Sequence, residues 1–486
     1  MKILFSVQNL GFLRNFQSTA ALLAEHGHTV HIIADRADSV GGAKLVEGIP
    51  NPHGRITYEI VKPPKRGPWV STAMALRLTI DYWRYLEPQF ADAVQLRARA
   101  EDHVPRVVVL LPKLPVLSTR WGRHLLMWVA RTLEAAVPPR PDVVKVLQTH
   151  KPDVLLLTPL LYFGSKQVDY VRAARQLRIP SILGVGSWDH LTTKGLIHEI
   201  PDRIVVWNEM QRTEAAALHG VPPSQVEVTG AQAYDHWFAR SVSTTREAFC
   251  ARVGLPANRP FLLYLCSSPF IAPHEVPSVR RWIEAVRGSG NPRIRELGLL
   301  IRPHPQNAEQ WKDVDLSSYG NVAIWPRAGA NPIDADARAE YYDSMYHSHA
   351  VVGVNTSALI ESGIVGRRVF SLLVEEFSGT QEGTLHFQHL KNVEGGLLQL
   401  ASTLDEHLAQ VTETLGVDPA EGAAQVRRFV QAFVRPHGLD VAATPRVVDA
   451  IERAATITVV PKPESVTARL ARALLRPVDR MLQTRA

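Results

Sequence analysis

Short apolar runs alternate with helical patterns in two successive series, and this constrains the fold more than any other feature of the chain. Leu4 to Val7, Thr29 to Ala34, Val154 to Thr158, Ser181 to Val185, Arg203 to Trp207 and Gln225 to Thr229 read as strands. Apolar residues at helical spacing lie between them, as in Asn15 to Glu25 and Ser165 to Leu177. A second series runs through Phe261 to Cys266, Gly298 to Ile301, Val322 to Trp325, Ala350 to Val354 and Arg368 to Leu372. Helical patterns recur within it at Pro277 to Val286 and Ala335 to Tyr346. Runs that are apolar at consecutive positions bury both faces, which a parallel sheet covered by helices on each side provides. The expected fold class is therefore α/β, with two doubly wound domains joined by a linker. Ligands in such sheets sit at the carboxyl ends of strands, so the expected site is a cleft between the two domains.

The expected boundaries are 1–240 for the first domain, 241–455 for the second and 456–486 for a tail. A long insertion, from about Gly67 to Leu147, interrupts the first domain. It is helical, basic and aromatic, with Trp69, Tyr82, Trp83, Tyr85, Trp121 and Trp128 beside Arg77, Arg84, Arg120 and Arg123. A lid or acceptor platform has this composition, and so does a helical layer packed on the sheet with its arginines in solvent. The tail carries Val466, Leu470, Leu474, Leu475, Val478 and Leu482 at near-helical spacing, interleaved with Arg469, Arg472, Arg476 and Arg480. A basic amphipathic helix of this kind can lie in the interface of an anionic membrane, or dock on its own protein. Pro477 is expected to kink it.

The 486 residues carry a net charge of +7 and two cysteines, Cys250 and Cys266. Two cysteines make no disulfide framework and suit a reducing, cytoplasmic setting, with association at the inner face of a membrane through the tail. The basic balance implies an anionic partner. No helix-turn-helix, zinc-finger or aromatic RNA-binding pattern is present, so nucleotide-linked substrates and a membrane surface are favoured over nucleic acid. A Gly-x-x-x-x-Gly-Lys-Ser/Thr loop and a Gly-x-Gly-x-x-Gly after the first strand are both missing, which removes support for a Walker ATPase and a dinucleotide dehydrogenase. Asp313-Val314-Asp315 and Asp334-Ala335-Asp336 do not follow buried strands and read as surface. No metal site and no cofactor are expected.

Four constellations sit at strand ends. After the first strand, Gly11 permits a tight turn and Arg14 can hold an anionic group at a helix start. Ser187-Trp188-Asp189-His190-Leu191-Thr192-Thr193-Lys194-Gly195 offers Asp189 and His190 as general bases and Lys194 as a cation. Leu299 to Pro305 delivers Arg302 and His304 onto a loop stiffened by flanking prolines. Val351 to Gly363 reads as strand, turn and helix. Asn355, Thr356 and Ser357 open that helix, where free backbone N–H groups attract phosphate, and Glu361 shares a face with Ser357. An ordinary capped strand–helix unit is the alternative reading. Glu375 to Thr384, with His386 and His389, could complete a wall for sugar hydroxyls.

These features resemble the glycosyltransferases of the two-Rossmann-domain, GT-B architecture, over Met1 to about Ala455. Gly27-His28-Thr29-Val30 followed by Ile32-Ile33-Ala34-Asp35 looks like that group's second strand. Val205-Val206-Trp207-Asn208 and Val226 to Ala231, leading to Tyr234-Asp235, look like its passage into the linker. His304-Pro305 and the hydroxyl-rich Thr356-Ser357 with Glu361 are similar to motifs of bacterial capsule and wall polymer enzymes. Those enzymes include CDP-glycerol glycerophosphotransferases and sialyl- and polysialyltransferases. The resemblance implies that His304, Thr356 and Ser357 hold the phosphates of a nucleotide-activated sugar donor, with Glu361 near its ribose; Arg302, which could add charge there, and Asn355 are expected in the same donor site. A glycan or lipid-linked acceptor is expected near Gly11, Arg14 and Lys194, with proton removal by Asp189 or His190; the helix start and His304 meeting the phosphate charge make metal-independent transfer the expectation, and the resemblance implies inversion. The pattern has His followed by Gly where this chain has Asp189-His190, so the choice of base stays open. UDP-sugar 2-epimerases share the fold and form the second expectation. A non-catalytic nucleotide- or glycan-binding scaffold is the third.

Overall fold

The computed structural model describes residues 1–36, 41–64, 67–417, 423–461 and 465–485. Residues 462–464 and 486 of the expected tail lie outside them. The chain divides into two compact units: Met1–Ala233 with Ala442–Ala486, and Tyr234–Val441. This corrects the expected boundaries, because residues 442–455 return to the first unit. Helix Ala443–Ala455 buries Val447, Val448, Ile451 and Ala454 in one core with Ile3, Phe5, Val7 and Leu23. Its apolar spacing marks it as a helix but carries no address for the sheet it covers.

Unit 1 holds a seven-stranded, all-parallel sheet. Its strands are β1 (Lys2–Asn9), β2 (Thr29–Arg36), β3 (Ile56–Ile60), β4 (Val154–Thr158), β5 (Ser181–Gly184), β6 (Arg203–Val206) and β7 (Val226–Val228), in the order β3-β2-β1-β4-β5-β6-β7. Unit 2 holds six parallel strands: β8 (Phe261–Leu265), β9 (Gly298–Arg302), β10 (Val322–Ile324), β11 (Ala350–Gly353), β12 (Val369–Leu372) and β13 (Leu398–Ala401), in the order β10-β9-β8-β11-β12-β13. Each order reverses once, beside β1 against β4 and beside β8 against β11. That is where doubly wound sheets open a crevice at their carboxyl ends. Every residue of β4, β8 and β9 is buried, which is why these strands read as continuous apolar runs.

β3 and β13 are edge strands that the sequence reading does not contain. In β3 only Ile56 is buried, and Ile-Thr-Tyr-Glu-Ile carries no continuous apolar signal. β13, Leu-Gln-Leu-Ala, is buried only at its two ends. An edge strand needs apolar contact on less of its surface, so its composition approaches that of a loop.

The insertion is a packed layer of unit 1. Helix Val70–Arg84 buries Arg77 and Arg84, both only 1% exposed, which corrects the reading that placed these two arginines in solvent. Arg77 pairs with Glu134 at 2.9 Å and with Asp169 at 2.9 Å, and Arg172 reaches the second oxygen of Glu134 at 2.6 Å. Burial by itself would raise the Glu134 carboxyl, but Arg172 and Arg77 outweigh it and hold it down at about 2. Arg120 and Arg123 are exposed as expected. The tail is one helix, Val466–Arg485, which continues through Pro477. It docks on the insertion: Leu475 joins Ala73 and Val137 in a small core, and Arg472 Nε donates to the Ala136 carbonyl at 2.9 Å. Asp479, also buried, accepts from the Trp69 amide at 3.1 Å and from the Thr72 hydroxyl at 2.7 Å.

Candidate functional site

In unit 1 the loops after β1 and β5 meet. β1 runs into a 3-10 turn, Leu10–Asn15, whose start is capped by the Asn9 side chain accepting from the Gly11 amide at 3.0 Å. Gly11 does not take a left-handed φ and its amide is committed to this cap, so the tight-turn role expected of it is not needed. Arg14 is exposed. A Cβ on Gly186 would lie 3.1 Å from the Phe16 ring and 3.3 Å from Asn15 Nδ2, which fixes how closely the β5 loop passes the β1 loop.

The β5 loop presents Asp189, His190 and Lys194 together. The Ser187 hydroxyl donates to Asp189 Oδ1 at 2.5 Å, and the Thr193 hydroxyl donates to Oδ2 at 3.0 Å. Lys194 Nζ stands 3.8 Å from the same carboxylate, whose side chain is 24% exposed. His190 is buried, with its ring 6.1 Å from the Phe12 ring and its Nδ1 without a hydrogen-bond partner among the described residues. Burial pushes its pKa down to about 4, against the opposing pull of Asp189, so the ring is neutral at pH 7. At the end of β2, the strand beside β1, burial raises the Asp35 carboxyl to about 6 despite nearby Lys166 and Arg140.

Residues of the insertion that sequence reasoning left without a role set the shape of this loop. Asp81 accepts from the Gly164 amide at 2.8 Å, the Leu196 amide at 2.7 Å and His198 Nε2 at 2.9 Å. Arg84 donates to the carbonyls of Leu191 at 2.9 Å, Lys194 at 2.9 Å and Gly195 at 3.2 Å. Tyr85 donates to the Lys194 carbonyl at 2.7 Å. Asp81, Arg84 and Tyr85 recur three and one residues apart along one helix end, but charged residues on a helix read as solvent-facing unless their partners are known.

In unit 2 the loops after β8, β9 and β11 carry the candidates. His304 caps the 3-10 segment Pro305–Trp311, with Nδ1 accepting from the Gln306 amide at 3.2 Å. An acceptor at Nδ1 leaves the proton of the neutral ring on Nε2, which makes that atom a donor. The following turn is bolted to the β8 loop by Asn307, which donates to the carbonyls of Ser267 at 3.1 Å and Ala272 at 2.9 Å. Ser267 itself is buried. Its amide donates to Glu275 at 2.8 Å, a buried acid raised to about 7 by burial against the hydrogen bonds of Ser267 and Tyr264.

After β11, Gly353 lets the helix Ala358–Ile364 approach: a Cβ there would lie 2.9 Å from Leu359 and 3.1 Å from the Leu265 carbonyl. Thr356 is half-buried, Ser357 exposed, and the Thr356 hydroxyl stands 3.4 Å from the Ala358 amide. Glu361 accepts from the Tyr341 hydroxyl at 2.7 Å. Tyr341 in turn lies under Arg302, whose guanidinium is 4.7 Å from the ring centroid.

Two of the donor-binding candidates have partners within the protein. Arg302 is 5% exposed and pairs through both terminal nitrogens with Glu340, at 2.8 and 2.9 Å. This bidentate pair holds the guanidinium over the Tyr341 ring. Asn355 is buried and donates to the Thr380 carbonyl at 2.6 Å, so it ties down the Glu375–Thr380 turn. Asp315 and Asp334, from the two Asp-x-Asp pairs, accept from the Ser317 and Ala337 amides as local caps. A cavity of about 160 Å³ opens at the carboxyl ends of β11, β12 and β13, lined by Tyr264, Trp282, Gly353, Phe377 and Thr403; its lining does not include His304, Ser357 or Glu361.

The two parallel Rossmann-like sheets of this chain are similar in fold to solved structures. The UDP-GlcNAc 2-epimerase from Methanocaldococcus jannaschii aligns with 93% of this chain and 100% of its own, at 12% identity and TM-score 0.52. The UDP-GlcNAc 2-epimerase from Neisseria meningitidis, solved with UDP-GlcNAc bound, gives the same coverage, identity and score. A glycosyltransferase from Rickettsia africae covers 94% of this chain and 99% of its own, at 10% identity and TM-score 0.52. The chain has the GT-B fold. No protein-family model matches it, and no curated protein matches it. At these identities the GT-B likeness establishes architecture, and the reaction has to be argued from the side chains.

Proposed function

We propose that this GT-B protein is a glycosyltransferase. It moves a sugar or sugar-like group from a nucleotide-activated donor to an acceptor hydroxyl, in the synthesis of a surface glycan or glycolipid of the capsule or wall polymer type. The observation that carries this reading is the Tyr341–Glu361 bond. Glu361, a half-buried carboxylate on the helix that follows Thr356 and Ser357, accepts at 2.7 Å from Tyr341 of helix Ala335–Tyr346. An oriented carboxylate accepts from a ribose diol, while the hydroxyls and amides at the helix start bind phosphate. His304, with Nε2 as donor, stabilises charge on the departing phosphate from the β9 loop, so the chemistry asks for no metal. Asp189 or neutral His190 takes the acceptor proton, with Arg14 and Lys194 supplying positive charge for an anionic acceptor; inversion at the anomeric carbon follows from such direct displacement.

The test is binding and turnover with UDP-, CDP-, CMP- and GDP-linked donors. Transfer or hydrolysis of one of them is expected, and neither binding nor turnover with any would end the proposal. His304→Ala should lower kcat ~10–1000-fold, the scale of losing one charge-stabilising donor. A folded variant with unchanged kcat would remove His304 from the mechanism.

A second reading rests on the fold shared with the two UDP-GlcNAc 2-epimerases over 93% of this chain. It requires turnover of UDP-GlcNAc with no acceptor present, and detection of epimerised sugar would replace the transfer reading.

A further inference from the structure

The helices that dock the tail onto the insertion leave a second apolar stripe uncovered. Helix Arg120–Ala135 turns Ala130, Leu133 and Glu134 inward. On its opposite side Trp121, Leu125, Trp128 and Val129 are exposed, with Trp121 at 86% and Trp128 at 62%. These four recur four, three and one residues apart, which places them on one face. The tail helix packs against this helix, with Leu475 in the cluster that Leu133 joins and Arg472 Nε on the Ala136 carbonyl just past its end. Its own outward stripe is Val466, Leu470, Leu474 and Val478, spaced by four, with Leu474 at 74% exposure. Two adjacent helices thus each have one apolar face spent on the protein and another facing solvent. Isolated exposed apolar residues are ordinary, but contiguous stripes with two tryptophans mark an interaction surface.

Charge identifies the occupant. From His103 to Leu133 the chain has no Asp or Glu, while Arg106, Lys113, Arg120, Arg123 and Arg131 are exposed there. In the tail helix the single acid, Asp479, is buried in the dock, and Arg469, Arg476 and Arg480 are exposed. A protein partner's apolar face carries no general demand for excess positive charge, whereas an anionic lipid interface does. Tryptophan is also the side chain that best fills the headgroup boundary. Among the described residues no helix is long and apolar enough to cross a membrane, so the contact is interfacial.

We propose that the 120–135 helix and the tail helix together form one docking face for an anionic bilayer surface, with Trp121, Trp128, Leu470 and Leu474 inserted below the headgroups and the arginines paired with lipid phosphates. This goes beyond the transfer reaction and does not depend on it. The tail contributes as half of a preassembled surface, held in orientation by Asp479, and not as a loose anchor.

The test uses the full chain and sedimentable vesicles of phosphatidylcholine alone or of an equal mixture with phosphatidylglycerol, at physiological ionic strength. Binding at least ~10-fold stronger to the mixed vesicles is expected from several basic residues near an anionic surface. The pair Trp121→Ser with Trp128→Ser should weaken that binding ~10–100-fold, and so should Leu470→Ser with Leu474→Ser. Both pairs replace exposed side chains, so their Tm should match the parent. Failure of the parent to bind mixed vesicles would overturn the proposal, as would undiminished binding by either folded pair. Sedimentation velocity gives the third arm: a concentration-dependent dimer abolished by the same substitutions would assign the face to a second copy and refute the lipid assignment.

Discussion

Asp81→Asn is a change of one atom type that should unfold much of what holds the β5 loop. Asp81 is fully buried and every contact to it is a donor: the Gly164 amide at 2.8 Å on one oxygen, the Leu196 amide at 2.7 Å and His198 Nε2 at 2.9 Å on the other. Asparagine keeps the volume, so no cavity is created. Its amide group, however, must face one of these N–H donors with another N–H. If the nitrogen takes the Gly164 side, that amide is left buried and unsatisfied; if it takes the other side, Leu196 and His198 both are. One lost hydrogen bond to a charged group, ~1.5–3 kcal/mol, adds to the cost of an unpaired buried donor, ~1–3 kcal/mol. The sum is ~2.5–6 kcal/mol, which spans the ~3–5 kcal/mol found for breaking a buried charged contact. For a unit of this size that lowers Tm by ~5–24 °C. Thermal and guanidinium unfolding followed by far-UV circular dichroism measures it. A variant within ~1 kcal/mol of the parent would refute the claim that Asp81 is the fixed point from which the loop bearing Asp189 and His190 is hung.

Tyr341→Phe removes the hydroxyl that orients Glu361 and little else, and nucleotide affinity should fall ~5–10-fold by calorimetric titration; an unchanged Kd would detach Glu361 from ribose binding. Glu275 has a folded pKa of about 7 against an ordinary value of 4.5, set by burial. A raised carboxyl contributes stability that is complete below the unfolded pKa and is lost as pH rises toward 7, a change of about 3 kcal/mol. Glu275→Gln should therefore flatten the decline of stability between pH 4.5 and 7, and parallel curves for parent and variant would refute the assignment.

What was legible in the sequence follows burial. Strands enclosed on both faces, such as β4 and β8, were read to within a residue because their composition admits no other environment. β3 and β13 escaped because an edge strand need not be apolar. Helix Ala443–Ala455 was readable as amphipathic, but the 3.6-residue period says which face is buried and not against which sheet. The same asymmetry governs the candidate site. His304, Asp189 and Glu361 stand out because strand ends and proline-flanked turns are visible locally. Arg302 and Asn355 carry equally suggestive neighbours, yet their partners Glu340 and Thr380 lie 38 and 25 residues away in sequence. Tyr341, Asp81 and Arg84 act through contacts of this long-range kind, and no motif announces them.

The return of the chain to unit 1 has a consequence for how the protein is made. Unit 2 is one uninterrupted stretch, Tyr234–Val441, whereas the core of unit 1 lacks Val447, Val448 and Ile451 until the ribosome has passed the whole of unit 2. The nascent protein therefore carries an open apolar flank beside β1 throughout the synthesis of its second half, at a translation rate of ~5–20 residues per second. The interval is ~10–40 s for the intervening 208 residues. During that time the first-made sheet depends on something other than its own chain to stay out of aggregates, while the later-made unit is free to fold first.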